Sequence, residues 1–192
     1  MEQHQRPLGR PRSEDARLAV LRAVDDMLVA EGYAAMTMKG IAERAKVGRQ
    51  TVYRWWSSKA EILLEASAAD AARELTVTPG VDAESDVTAF LTALRDFLTR
   101  SDAGLAYRAL LGEAQHDDRV AELLRGTDVL GDAARACIAG VRARGALAGV
   151  PEAGADLLVA ELVGPVLFQT LVTGRAAEPE ELSGMARRFL AR

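Results

Sequence analysis

The chain of 192 residues contains one cysteine and two histidines. A single thiol excludes an intrachain disulfide framework and a zinc site built on clustered cysteines. The stretch Met1 to Asp15 lacks the apolar core of a secretory leader. The longest apolar stretch, Leu162 to Leu171, is broken by Gly164, Pro165 and Gln169 and is too short to span a bilayer. A cytoplasmic protein with no membrane partner is expected. Long β-branched alternation, solenoid repeats and low-complexity tracts are missing, and so are the Gly-x-Ser-x-Gly, Walker A and Rossmann glycine patterns. Without any clustered nucleophile, nucleotide or metal set, neither an enzyme nor a cofactor is expected.

The composition that remains is that of a folded globular chain, with 49% hydrophobic and 27% charged residues. The length suits one compact domain, or a small domain joined to a larger one. The formal net charge is −4, but it is unevenly spread. Residues 1–60 carry 11 Lys+Arg against 7 Asp+Glu, whereas residues 61–192 carry 13 against 21. A basic end on an acidic body can present one surface to a polyanion.

Nearly every segment has helical character, rich in Ala, Leu, Glu and Arg, with Gly or Pro as punctuation, so an all-α fold is expected. The first helix is expected to follow the N-cap Ser13, with a stripe of Leu21, Val24 and Leu28 and a stop at Gly32. Short helices follow at Thr37 to Ala45 and Arg49 to Trp56. Ser58-Lys59-Ala60-Glu61 reads as a capping box opening a fourth helix that ends near Leu75. After a loop at Thr76 to Asp82, helices are expected at 84–101, 103–115, 118–126, 128–145, 152–173 and 179–191, with Pro165 kinking the long one.

The segment from Thr37 to Trp56 has helix-turn-helix form. Ala42 is small where the two helices cross, and Ile41, Val47 and Val52 form the wedge. A wheel of 100° per residue turns Val52 and Trp56 inward. The opposite face carries Arg54, Gln50 and Thr51, flanked by Arg49, Tyr53 and Trp55. Donors, a hydroxyl and amphipathic rings without a carboxylate suit base edges and phosphates in a major groove. Lys46 holds the turn position that usually takes glycine, so a positive φ is expected there. Gly40 inside the second helix costs roughly 1 kcal/mol relative to alanine.

The run Val47-Gly48-Arg49-Gln50-Thr51-Val52-Tyr53-Arg54-Trp55-Trp56-Ser57-Ser58-Lys59 resembles the signature of the TetR (tetracycline-repressor-like) transcriptional regulators. The likeness extends over roughly residues 13–65, and Gly164 to Gly174 resembles the dimerisation helix of one subgroup more loosely. The resemblance implies about nine helices, with residues 1–60 as a DNA-binding domain with a basic arm and residues 61–192 as a ligand-sensing and dimerisation domain. It implies base contacts by Lys39, Arg49, Gln50, Thr51 and Tyr53, mixed contacts by Arg54, and phosphate contacts by Thr37, Trp55 and Lys59. The implied partners are double-stranded DNA with a palindromic operator, a small-molecule effector and a second copy of the chain. Ahead of the first helix, Gly9-Arg10-Pro11-Arg12 resembles the core of an AT-hook, so Arg10 and Arg12 are candidates for an extended minor-groove arm. A basic tail adding nonspecific attraction explains the same residues equally well.

Phe90, Phe97, Tyr107, Leu111 and Phe168 are candidate lining for an effector cavity, although plain core wants the same residues. For the dimer interface the candidates are Leu158, Leu162, Pro165, Val166, Gln169 and Val172, joined by Leu182, Met185 and Phe189 on the last helix, making a four-helix bundle across the two-fold axis. Cys137 reads as a small core residue. Glu113, His116 and Asp117 have metal-ligand spacing but read better as loop and cap residues. A ligand-independent dimeric DNA-binding protein, marked by a C-terminal domain without a cavity of roughly 300 Å³ or more, remains an alternative, as does a helical carrier or enzyme.

Overall fold

The computed structural model describes residues 10–151 and 154–191, with side chains from Glu14 onward. Ten α-helices run through these residues, and no strand occurs among them. The chain divides into two compact units between Ala66 and Ser67.

The first unit contains α1 (Arg10–Glu31), a 3₁₀ turn at Tyr33–Ala35, α2 (Met38–Ala45), α3 (Arg49–Trp55) and the start of α4 (Lys59–Glu74). Helix α1 begins earlier than the cap at Ser13 led us to expect. Proline is tolerated in a first helical turn, because an amide there has no intrahelical partner to lose, and Pro11 occupies such a position. The extended arm expected at Arg10 and Arg12 is therefore replaced by the first turn of α1, while their side chains fall outside the described residues. The core joins Val20, Val24, Met27 and Leu28 of α1 to Met36, Ile41, Val52, Trp56, Ile62 and Leu63. Full burial of a side chain such as Ile41 or Val52 stabilises by about 1.5–3 kcal/mol. Thr37 caps α2 by accepting the Gly40 amide at 3.0 Å. Gly40 has a packing reason to be glycine, since a Cβ there would stand 3.2 Å from the Met27 methyl of α1. Lys46 closes α2 in the left-handed region, φ 56° and ψ 36°, as the missing turn glycine requires. At the start of α4 Ser58 accepts the Glu61 amide at 3.2 Å. The Glu61 carboxylate reaches one residue further back than a simple capping box, to the Ser57 amide at 2.6 Å and the Ser57 hydroxyl.

The second unit holds the end of α4, α5 (Ala83–Arg100), α6 (Asp102–Glu113), α7 (Asp118–Gly126), α8 (Val129–Ala143), α9 (Ala155–Phe168), a π-helical turn at Gln169–Thr173 and α10 (Pro179–Leu190). Helix α5 is its centre, with Phe90, Leu91, Leu94, Phe97 and Leu98 packed into one cluster with Ala134, Ile138 and Val141 of α8, Leu158, Leu162 and Val166 of α9, and Leu182 and Phe189 of α10. Asp82 and Ser85 cap α5 reciprocally. Gly104 lets α6 lie directly on α5, because a Cβ there would fall 1.7 Å from the Phe97 carbonyl oxygen. The helix expected at 152–173 continues through Pro165, then widens into the π turn. From Ala155 to Thr173 the chain is helical for 19 residues with mean hydropathy 1.6, so by length and composition alone it equals a membrane span. The broken run read from the sequence is therefore longer as a helix than its interruptions suggested.

Candidate functional site

On α3, Val52 is fully buried and Trp56 nearly so, which leaves Arg49, Gln50, Tyr53 and Arg54 exposed on the opposite side. Thr51 and Trp55 are half-buried on the flanks. The helix is held in this rotation from below. Trp56 Nε1 donates to Glu65 Oε2 at 3.0 Å, and Arg17 pairs with the same carboxylate at 2.8 Å. The Trp55 ring stands edge-on to Trp56 with centroids 5.4 Å apart, and the Arg54 guanidinium lies 5.6 Å above the Trp55 ring. Stacking holds that guanidinium along the exposed side of α3 at small entropic cost.

Lys39 projects from α2 beside this face, exposed. Between Lys39 and Arg49 stands a residue that sequence reasoning missed, Glu43. Its Oε1 accepts from Arg49 at 3.1 Å and lies 3.9 Å from the Lys39 ammonium. The acid-free face is thus a property of α3 alone, and α2 sets one carboxylate at its edge. The i, i+4 relation of Lys39 and Glu43 was visible in the sequence, but the reach across the turn to Arg49 was not.

Thr37 uses its hydroxyl oxygen as the α2 cap, and its O–H can still donate outward. Lys59 is placed differently from its expected phosphate role. Its ammonium donates to the carbonyls of Tyr33 at 2.8 Å and Met36 at 3.2 Å and sits 4.0 Å from the Tyr33 ring centroid. The side chain ties the start of α4 to the 3₁₀ turn.

The second unit contains a cavity of about 460 Å³ lined by residues of α4, the 75–79 stretch, α5, Thr127 and α8. Of the aromatic and apolar candidates, only Phe90 lines it. Phe97 and Tyr107 are spent on the core, tilted against each other with centroids 6.1 Å apart. Leu111 packs half-buried on the same core, and Phe168 is 59% exposed at the end of α9. Small residues make up much of the lining: Ala68 and Ala72 of α4, and Ala133, Ala136 and Gly140 of α8. Cys137 also lines it, and burial, with the Asp86 carboxylate second, pushes its thiol up to about 12. Asp86 is buried and accepts from the Gly80 amide at 2.5 Å and from Arg144 Nε at 2.8 Å, while Arg144 donates to the Gly80 carbonyl at 2.9 Å. This triangle anchors the chain at Gly80, next to the cavity-lining Pro79.

The expected dimer surface needs correction. Leu158, Leu162, Val166, Leu182 and Phe189 lie in the protomer's own core, where a partner cannot reach them. Gln169 and Met185 are half-buried, and Pro165 and Val172 are exposed. The apolar side chains presented outward are instead Leu157, Phe168, Leu171 and Val172, exposed by 63, 59, 44 and 68%. Among the described residues no group of three or more His, Cys, Asp or Glu is arranged to hold a metal, and Asp117 caps α7.

The family model for the N-terminal region of bacterial regulatory proteins of the tetR family matches residues 20–66, and a tetracycline-repressor-like C-terminal domain model matches residues 79–188. The chain belongs to the TetR family. It is a DNA-binding transcriptional regulator with an N-terminal helix-turn-helix domain and a tetracycline-repressor-like C-terminal domain. The HTH-type transcriptional regulator YdeS of Bacillus subtilis (strain 168) is 34% identical to it over 168 residues, 86% of this chain and 83% of that one. A DNA-binding transcriptional repressor TetR of Mycobacteroides abscessus is 29% identical over 117 residues, 59% of this regulator and 60% of the relative. Among solved structures, the TetR family transcription regulator SCO0332 superposes with a TM-score of 0.76 at 26% identity, covering 92% of this chain and 97% of its own.

Proposed function

We propose that this regulator is a homodimeric repressor that holds a palindromic operator and leaves it when a small molecule occupies the C-terminal cavity. The observation that carries the DNA-binding half is the α3 surface, where Arg49, Gln50, Tyr53 and Arg54 are exposed together while Val52 and Trp56 anchor the helix. In this reading Lys39, Arg49, Gln50, Thr51 and Tyr53 meet base edges, Arg54 meets base or phosphate, and Thr37 and Trp55 meet phosphates. An arginine bidentate to guanine discriminates by about 1–3 kcal/mol. Residues 1–60 supply this surface, and residues 61–192 sense and dimerise. The protein acts in the cytoplasm and performs no catalysis.

Two observations favour the remaining parts. A ligand-independent protein was expected to have a solid C-terminal core, whereas about 460 Å³ lies open between α4 and α8. The wall of that cavity includes Ala68 and Ala72 of α4, with Leu75 just past its end, and α4 begins at Lys59 in the DNA-binding unit, so a ligand that displaces α4 shifts the population away from the operator-bound geometry. The exposed apolar side chains at Leu157, Phe168, Leu171 and Val172 call for cover by a second copy. The test is selection of bound duplexes from a random pool at fixed salt. A palindrome is expected, with half-sites about one helical turn or a small multiple apart, and its loss in the Arg49→Ala, Tyr53→Ala double variant. Recovery of no motif, or an unchanged motif in that variant, refutes the reading.

A further inference from the structure

From Met38 to Trp56 the sequence has five Lys+Arg and a single acid, Glu43. Glu43 Oε1 accepts from Arg49 Nη2 at 3.1 Å across the turn and stands 3.9 Å from Lys39 Nζ, one helical turn back on α2. Two side chains assigned to base edges thus share one carboxylate. All three are more than half exposed, so DNA can reach them and no core packing depends on them. Arg44, the next residue along, pairs instead with Asp26 of α1 at 3.8 Å. The fold itself gives little reason for a carboxylate at this edge. An exposed i, i+4 pair adds little to a helix, and α2 already has its cap at Thr37 and its buried anchors Ile41 and Ala42. Against DNA a carboxylate here weakens the attraction to phosphates. What it supplies is direction. Glu43 engages one hydrogen of Arg49 Nη2, which leaves the other Nη2 hydrogen and Nη1 for the O6 and N7 pair of guanine. A guanidinium already held at one edge loses less rotamer freedom when it forms those bonds. The same carboxylate competes with phosphates for Arg49 and Lys39, and phosphate contacts carry no sequence information.

We propose that Glu43 sets sequence discrimination: it aims the Arg49 guanidinium at a guanine and withholds Arg49 and Lys39 from the phosphate backbone. General affinity for DNA is lowered and selectivity is raised. The proposal rests on the reading of α3 as the DNA-reading face and adds a positioning residue from α2 to it.

The test compares the full-length parent with Glu43→Ala, Glu43→Gln and Arg49→Ala, with helicity checked by circular dichroism. Sequence preference is read by selection from a random duplex pool at fixed salt. General affinity is read by titrating a fluorescein-labelled duplex that lacks the selected motif, across salt. The base pair whose preference disappears in Arg49→Ala is the one that Arg49 reads. In Glu43→Ala, affinity for the motif-free duplex is expected to rise by about two- to fivefold, the range of one exposed charge pair. Its salt slope should steepen by roughly 0.9 as a freed cation takes up a phosphate. Preference at the Arg49 base pair is expected to fall by about two- to fivefold as well. Glu43→Gln keeps an acceptor for Arg49 without the charge, so it should show the gain in general affinity and retain more of the preference. Unchanged preference at that base pair in Glu43→Ala, or a motif-free affinity that does not rise, overturns the assignment, while a motif from the parent keeps the α3 reading standing. Loss of preference spread evenly over the motif marks a merely structural role and overturns it too. Recovery of no motif from the parent overturns both.

Discussion

Lys59 allows the family-based expectation and the structural placement to be set against each other. As a phosphate contact its ammonium is spent on DNA, and Lys59→Met weakens operator binding while leaving the fold untouched. In the structure the ammonium donates to two backbone carbonyls, Tyr33 at 2.8 Å and Met36 at 3.2 Å, and covers the Tyr33 ring at 4.0 Å. A hydrogen bond from a charged donor contributes about 1.5–3 kcal/mol, and a partly exposed cation–π contact about 0.5–1 kcal/mol. The site is half-buried, so water recovers part of what methionine cannot supply. The net cost expected for Lys59→Met is then about 2–3 kcal/mol, which moves the midpoint of a unit of this size by roughly 10 °C or more. The assay is thermal and urea unfolding of the full chain, beside operator affinity measured across salt. Arg54→Met is the comparison, since Arg54 is exposed and stacked on Trp55. If Arg54 meets phosphate, its loss lowers the salt slope by about 0.9 with no change in melting. Should Lys59→Met instead melt like the parent while the salt slope falls by that amount, the bolt between α4 and the 3₁₀ turn is refuted.

Three further outcomes follow from the same geometry. Phe168→Asp combined with Val172→Asp places charge on the exposed apolar face and should yield a folded monomer by sedimentation, whereas Leu162→Asp, at a position 2% exposed, should unfold the C-terminal unit. The Glu181 carboxyl is held down to about 2 by its paired hydrogen bonds with Arg175 and by the Glu178 amide. Because its folded value lies below the ordinary 4.5, its contribution is full above about 4.5 and is lost as pH falls toward about 2. Circular dichroism of Glu181→Gln should accordingly show a flatter acid transition in that window than the parent, and an unchanged profile contradicts the assignment. Burial and Asp86 raise the Cys137 thiol to about 12 from an ordinary 9.0. At pH 9 iodoacetamide should therefore modify it on the order of a hundredfold more slowly than in the urea-unfolded chain, equal rates being the refuting result.

The N-terminal unit was largely legible because its determinants are local. A cap at Thr37, a turn at Lys46 and inward Val52 and Trp56 lie within twenty residues of each other, and helical geometry carries each to its place. What escaped there depends on reach between elements. Glu43 meets Arg49 across a turn, and the Lys59 ammonium meets carbonyls 23 and 26 residues earlier. The extended arm expected at Arg10 and Arg12 gives way to helix because a proline such as Pro11 is tolerated in a first helical turn.

The C-terminal unit exposes a different limit. Helix α9 is apolar nearly all round, so its composition announces two buried faces without saying which one belongs to the protomer. Choosing Leu158, Leu162 and Val166 for the partner selected the stripe that meets α5, and the outward stripe runs instead through Leu157, Phe168 and Val172. The same ambiguity governs the cavity. Aromatic residues were its natural candidates, yet Phe97 and Tyr107 fill the core, and the space arises where Ala72, Ala136 and Gly140 leave two helices with too little side chain to close the gap. A cavity is defined by missing volume, and missing volume is a relation between helices far apart in sequence. The polar side chains at its edge are correspondingly few: Asp86 is buried and already satisfied by Arg144 and the Gly80 amide, so the lining itself is mostly apolar.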